Sequence, residues 1–139
     1  MAESLKTETV SGGASELTRL PQLAAAILEF DFAAEIAQLR QEDSWRRGTG
    51  RSSKTLAKYP DLRIVLTLLQ AGAHVKEHKT GGRISILGVM GRMRLHVPER
   101  TVELTPGKIL VLDTEVPHDV EAIEESAFLL TVCAAPQSK

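Results

Sequence analysis

Short segments of alternating apolar and polar residues, each followed by turn residues, fill the chain from residue 55 to residue 133. In one of them Arg92, Arg94 and His96 alternate with apolar residues, which is the pattern of a half-buried strand. Pro98 begins the turn that follows. About eight such segments, with turn signals roughly every 8–12 residues, favour a β-barrel or a β-sandwich.

Two blocks of this region have matching glycine–histidine spacings. Residues 107–118 begin with a glycine turn, continue through a short apolar strand and an acidic turn, and end in Pro117-His118. Residues 72–91 form a second block, bounded by glycines, that contains His78. We interpret the two blocks as parts of one small barrel that direct both histidines towards one cavity.

The segment that begins at Pro21 and runs to about residue 41 has a helical pattern. Proline is favoured at a first helical position, and Asp31 is a suitable cap for a second helical segment. Phe32, Ile36 and Leu39 then fall on one helical face. The pattern predicts a helix that packs on the outside of the barrel, or one that covers a cavity or a partner subunit.

Residues 45–54 are basic and contain two glycines. Glycines allow backbone N–H groups to approach an anion closely, but the spacing does not match a phosphate-binding loop. A solvated loop and an anion site both remain open for this stretch.

Composition excludes several kinds of partner. The 17 basic and 18 acidic side chains give a net charge of −1, so no overall field attracts nucleic acid or an anionic membrane. The N-terminal residues lack the apolar core of a signal peptide, which predicts a cytoplasmic location. Cys133 is the one cysteine, so an intrachain disulfide is impossible.

The first block resembles the first motif of the cupin superfamily. That motif is a glycine, five residues, His-x-His, three or four residues, a glutamate, six residues and a glycine. It begins here at Gly72 and places His78 at the first histidine. Thr80, Ile84 and Gly91 fall at the second histidine, the glutamate and the final glycine.

The second block resembles the second cupin motif, with His118 eleven residues after Gly107. Asp113 and Glu115 stand where the family often has proline and glycine. The resemblance covers about residues 55–133 and implies an all-β, cupin-like double-stranded β-helix barrel (a jelly roll) with an N-terminal helical extension.

The domain organisation expected from these observations has four parts. They are a disordered leader over residues 1–16, a helical extension and basic loop over 17–54, the barrel over 55–133, and a tail over 134–139. The resemblance also implies a homodimer.

In metal-binding cupins the two motifs supply three histidines and a glutamate to a divalent transition metal. This chain keeps His78 and His118 of that set, whereas Thr80 is a poor ligand and Ile84 cannot bind a metal. The resemblance therefore implies an incomplete metal site.

Two other residues are candidates for a third ligand. His74 shares the parity of His78 along an ideal strand, so both side chains are expected on one face. Glu115 precedes His118 by three residues and lies in the acidic turn.

Isoleucine in place of the carboxylate also predicts an apolar wall, to which Ile86 contributes. We expect a pocket formed by the following residues: His78, Thr80, Ile84, Ile86 and His118. An apolar pocket with a few polar groups is typical of a small-molecule site, but side chains can also fill a small barrel completely.

Three functional hypotheses follow, and the sequence leaves open whether the chain is an enzyme. The first is a small-molecule-binding barrel without a full metal site. The second is a metal-dependent enzyme, of the oxygenase or isomerase type, that uses His78 and His118. The third is a structural or interaction module with a packed barrel.

Overall fold

The computed structural model describes residues 23–78 and 81–133, with the side chains of Glu77 and His78 excepted. The predicted leader (residues 1–16), the predicted tail (134–139), Pro21 and Thr80 lie outside the described residues.

Two antiparallel sheets make up most of the described chain. Their strands are β1 (Arg51–Tyr59), β2 (Leu62–Leu69), β3 (His74–His78), β4 (Arg83–Met90), β5 (Met93–Val97), β6 (Arg100–Leu104), β7 (Ile109–Leu112), β8 (His118–Ala122) and β9 (Ser126–Cys133). One sheet has the order β1-β2-β9-β4-β7, and the other has the order β3-β8-β5-β6. The all-β jelly-roll fold expected from the sequence is confirmed.

The main core lies between the two sheets because each strand turns one set of alternate residues inward. In β8, for example, His118, Val120 and Ala122 are buried, whereas Asp119 and Glu121 between them are partly exposed. The buried side chains of the facing strands complete this core: Leu69, Ile84, Ile86, Met93, Leu95, Leu104, Leu112, Phe128 and Val132. The alternating pattern read from the sequence is therefore the inside–outside pattern of a barrel.

Helix α1 (Phe32–Leu39) packs against the outer face of the five-stranded sheet. Asp31 caps it, since its Oδ1 accepts hydrogen bonds from Ala33 N at 2.9 Å and Ala34 N at 3.4 Å. Ile36 and Leu39 are buried against the sheet, so the predicted cap and apolar face are both present. A second helix, α2 (Asp43–Arg46), follows. Neither of these two described helices is long and apolar enough to cross a membrane.

The helix predicted to start at Pro21 is not found over residues 23–31, which contain no helix. The backbone there bonds to β1 instead. Lys58 N donates to the carbonyl of Leu23 at 2.8 Å, and the Tyr59 hydroxyl donates to the carbonyl of Ala25 at 2.7 Å. These bonds satisfy carbonyl groups that a helix would otherwise use, and α1 begins only where Asp31 supplies a cap.

The predicted basic loop over residues 45–54 is also different in the structure. Its beginning belongs to α2, and its last four residues belong to β1, which starts at Arg51 and not at Thr55. Arg51 pairs with Leu69, and Lys54 pairs with Leu66. Pairing with an apolar neighbouring strand therefore extends β1 through a polar sequence whose own preference for strand is low.

Candidate functional site

The two histidines of the cupin-like motifs meet in neighbouring strands. His78 ends β3 and His118 begins β8, and their Cα atoms are partners in the antiparallel pairing of these strands. Residues directly opposite each other in an antiparallel pair are close neighbours on one sheet. The backbone thus brings together the two positions predicted for the site.

His118 is a buried polar residue in an apolar part of the barrel, with 3% of its surface exposed. Its Nδ1 lies 2.9 Å from the carbonyl oxygen of Val116. Because a carbonyl oxygen can only accept, Nδ1 carries the proton and donates it. In the neutral ring the lone pair is then on Nε2, which can accept a hydrogen bond or bind a metal ion.

The acidic turn before His118 is held by side-chain hydrogen bonds. Asp113 Oδ1 accepts from Thr114 N at 2.8 Å and from Arg83 Nε at 2.9 Å. The bond from the Thr114 backbone and the positive charge of Arg83 lower the pKa of Asp113 below its usual value. Glu115 adopts a left-handed conformation, with φ of 66°, and is exposed.

Strand β3 contains one more residue than the part of β8 with which it pairs. Val75 pairs with Val120 and His78 pairs with His118, so three steps along β3 correspond to two along β8. Such a β-bulge interrupts the alternation of the two faces. Parity in the sequence is therefore no guide to the face on which residues before and after the bulge lie.

The bulge decides the position of His74. This residue pairs with Glu121 on the outer side of the sheet, and its Nε2 lies 3.4 Å from Oδ2 of Asp119. Its side chain is 47% exposed, whereas His118, which adjoins Asp119, is buried. The structure therefore does not bring His74 to His118. The prediction had assumed a regular strand, whereas β3 contains a bulge.

The two isoleucines predicted to line the pocket are both part of the main core. Ile84 and Ile86 are 3% and 2% exposed and belong to the same buried cluster as Val120 and Leu95. Val116 packs against this cluster. The isoleucines therefore provide apolar surface inside the barrel, which has His118 among its buried residues.

The described side chains do not fit the complete cupin ligand set. Ile84 occupies the carboxylate position, His74 faces outward and Glu115 is exposed. Among the side chains that the structure describes, no group of three or more histidine, cysteine, aspartate or glutamate residues is arranged to hold a metal ion.

An open cleft of about 770 Å³ lies at the other end of β3, where His74 and Lys76 contribute to its wall. The residues that line it are Ser44, Thr49, Gly50, Arg51, Leu69, Gln70, Ala71, Gly72, Ala73, His74 and Lys76. The basic, glycine-containing stretch was a signal for one side of this cleft, but residues 69–76 come to it only through the fold.

No protein-family model and no curated protein sequence matches the chain. Solved structures do match. A cupin superfamily protein from Desulfitobacterium hafniense is 19% identical with a TM-score of 0.60, covering 61% of this chain and 78% of that one. KdgF from Halomonas sp. is 23% identical with a TM-score of 0.58, covering 64% and 83%.

A variant of salicylate 1,2-dioxygenase from Pseudoaminobacter salicylatoxidans has a TM-score of 0.68 at 14% identity. The match covers 82% of this chain and 38% of that one. Likeness at these identities demonstrates the fold and carries no statement about chemistry.

Proposed function

We propose that this chain, which has the cupin fold, binds a small molecule where His78 and His118 are paired. The observation that carries the proposal is the state of His118. It is a buried imidazole whose Nδ1 proton is engaged by the Val116 carbonyl, so that its Nε2 lone pair is oriented by the protein. A buried polar group held in one tautomer is typical of a binding or catalytic position.

The chemistry of the surrounding residues indicates the kind of ligand. An unprotonated imidazole nitrogen accepts a hydrogen bond from a hydroxyl or amine, or takes a proton from a reacting group. Ile84 and Ile86 add apolar surface inside the barrel. We therefore expect a ligand with an apolar body and at least one hydrogen-bond donor, which His78 and Thr80 also contact in the proposed pocket.

Thermal-shift screening of compounds with these properties tests the proposal. A true ligand raises the melting temperature by mass action, and it should do so for the wild type but not for His118→Asn. His96→Asn is the matched control, because the His96 ring lies on the outer side of the sheet, 3.2 Å from Glu121 Oε1. Equal shifts in all three proteins would contradict a site at His118.

A metal-dependent enzyme is the second candidate, and the hydrogen bond of His118 Nδ1 to a backbone carbonyl favours it. Metal-binding histidines are commonly oriented by such a bond from the nitrogen that does not bind the metal. Elemental analysis of protein purified without a chelating column tests this alternative. Less than about a tenth of an equivalent of transition metal per chain, with no uptake on titration, would exclude it.

A barrel without any ligand is the third candidate, favoured by the burial of Ile84 and Ile86 in the main core. This alternative predicts that no compound in the screen raises the melting temperature. It also predicts that truncating His118 affects stability alone.

We also propose a homodimer, in which strand β7 takes part. Among the described strands, β7 is at the edge of the five-stranded sheet, and Ile109 and Val111 expose 55% and 65% of their surface. Edge strands with exposed apolar residues are prone to associate, and two copies can pair about a twofold axis. Light scattering of the wild type and of Val111→Lys distinguishes a dimer that uses this edge from a monomer.

A further inference from the structure

We propose that the cleft at the start of β3 is a second binding site, which holds the phosphate or carboxylate group of a small molecule on Arg51. This site is independent of the one proposed at His118, since Ile84, Ile86 and His118 do not line the cleft. The two sites lie at opposite ends of β3, with His74 beside the cleft and His78 beside His118.

The charges around the cleft favour an anion. Arg51 and Lys76 are among the lining residues, and no aspartate or glutamate is among the described residues that line the cleft. The Arg51 side chain has no hydrogen bond or ion pair with any residue of the described chain. An arginine presents its donors in a planar fork that suits two oxygens of a phosphate or carboxylate, so it is well suited to anchor such a group.

His74 adds a third nitrogen-bearing side chain to the same wall. It is separated from Lys76 by one residue, and both are exposed, on the outer side of β3. Oδ2 of Asp119 lies 3.4 Å from His74 Nε2 and orients the ring without lining the cleft. The cleft therefore combines two permanent positive charges with an oriented imidazole.

Hydrogen bonds between the walls hold the cleft open before any ligand arrives. Gln70 connects the two sides, because its backbone N donates to Gly50 O at 3.0 Å and its Nε2 donates to Trp45 O at 3.2 Å. Thr49 N donates to Ser44 O at 3.2 Å, which closes the turn after α2. A site with its walls already fixed loses little entropy of its own when it binds.

The shape of the cleft suits a small molecule. Its volume of about 770 Å³ lies within the usual range for ligand sites. Gly72 contributes no side chain, and a Cβ atom at this position would meet no other atom within 4 Å. Leu69 and Ala73 add apolar surface, so the site can accept both an anionic group and a small apolar body.

A titration of the full chain with sodium phosphate, followed by amide NMR at constant ionic strength, tests the proposal. We expect saturable shifts at Gly50, Gly72 and Ala73 that sodium chloride does not produce. Arg51→Gln should weaken phosphate binding by about tenfold or more, because a charge-assisted hydrogen-bond pair is lost. A second titration with succinate distinguishes the two classes: tighter binding of phosphate assigns a phosphate ligand, and tighter binding of succinate assigns a carboxylate.

Arg63→Gln is the matched control, since it makes the same change in charge as Arg51→Gln. Arg63 is exposed on β2 and does not line the cleft. The control substitution should change the affinity by no more than about twofold, because screened charges at a distance act weakly. Lys76→Gln should weaken binding and supplies a second variant of the site. The proposal is overturned if Arg63→Gln weakens binding as much as Arg51→Gln does. It is also overturned if neither anion gives saturable shifts at the cleft, even where the amide signals of Val116 and His118 shift.

Discussion

The Nδ1 atom of His118 lies 2.9 Å from the carbonyl oxygen of Val116, two residues earlier in the chain. Because of this bond, the two nitrogens of the His118 ring have different roles. Nδ1 contributes to the stability of the turn into β8, whereas Nε2 is the nitrogen proposed to contact a ligand. Substitutions that replace one nitrogen at a time can therefore separate stability from binding.

His118→Asn and His118→Gln make this separation. The amide nitrogen of asparagine can take the place of Nδ1 and keep the bond to Val116, so the free energy of unfolding should fall by only about 1 kcal/mol. Glutamine places its amide nearer to Nε2 and leaves the carbonyl without its donor, which should cost about 1–3 kcal/mol. Urea unfolding of both variants measures the difference, and an equal loss in both would show that the bond to Val116 is not what stabilises the ring.

Glu115→Gly should stabilise the protein. A left-handed conformation costs a residue with a side chain about 1–2 kcal/mol, and glycine removes this strain. Glycine also raises the entropy of the unfolded chain, which lowers stability by up to about 1 kcal/mol. The net effect on the free energy of unfolding should be a gain of up to about 1 kcal/mol.

Glu124→Gly is the control for that substitution, because Glu124 is exposed and its φ is not positive. Glycine there should lower stability by about 0.5–1 kcal/mol, since only the entropic effect remains. Thermal unfolding of the two variants should thus give shifts of opposite sign. Shifts of the same sign would mean that the conformation of Glu115 is not strained.

Gly91→Ala and Gly107→Ala should differ although both glycines have positive φ, of 80° and 89°. A Cβ at Gly91 would lie 2.1 Å from the carbonyl oxygen of Glu125, whereas at Gly107 it would meet nothing within 4 Å. We expect Gly107→Ala to cost about 1–2 kcal/mol from backbone strain alone. Gly91→Ala should cost about 3 kcal/mol or more, or prevent folding.

Denaturant unfolding, or the yield of soluble protein where Gly91→Ala does not refold, measures this difference. Equal effects of the two substitutions would show that the chain between Glu124 and Ser126 moves away from residue 91 at little cost.

The pKa of Asp113 should rise only part of the way to its usual value in Arg83→Gln. The backbone hydrogen bond from Thr114 is the larger cause of the lowered pKa, and it does not depend on Arg83. NMR titration of the Asp113 carboxyl measures the change. A full return to the usual pKa would contradict the larger role of Thr114.

The lowered pKa also gives the sign of a pH effect. A carboxyl whose pKa is lower in the folded state stabilises the fold above its unfolded pKa, and this contribution disappears as the pH falls through the folded pKa. The dependence of stability on pH in the acid range should therefore be shallower in Asp113→Asn than in the wild type. Because Asp113 is exposed, the difference is expected to be small.

Much of the fold could be predicted because its evidence is local. The alternation of exposed and buried residues in β5 and the cap at Asp31 depend on neighbours in the sequence, and both are present in the structure. The exposed character of His96 follows from the same alternation. Glycine–histidine spacings likewise placed His118 at the start of a strand.

Other features depend on partners that are distant in the sequence. Strand β1 starts at Arg51 because β2 lies beside it, and residues 23–26 bond to β1 and form no helix. The cleft is built from two connections that only the fold brings together. The outward position of His74 was not predicted, since composition and parity carry no signal for the extra residue in β3.

That extra residue has a consequence for how proteins of this kind can diverge. If one codon between Val75 and His78 were deleted, two steps along β3 would correspond to two along β8, and the histidine would still be paired with His118, in a regular ladder. Its separation from His74 would fall from four residues to three, so a regular strand would place the two residues on opposite faces. A loss of one residue at the bulge therefore need not separate the two paired histidines.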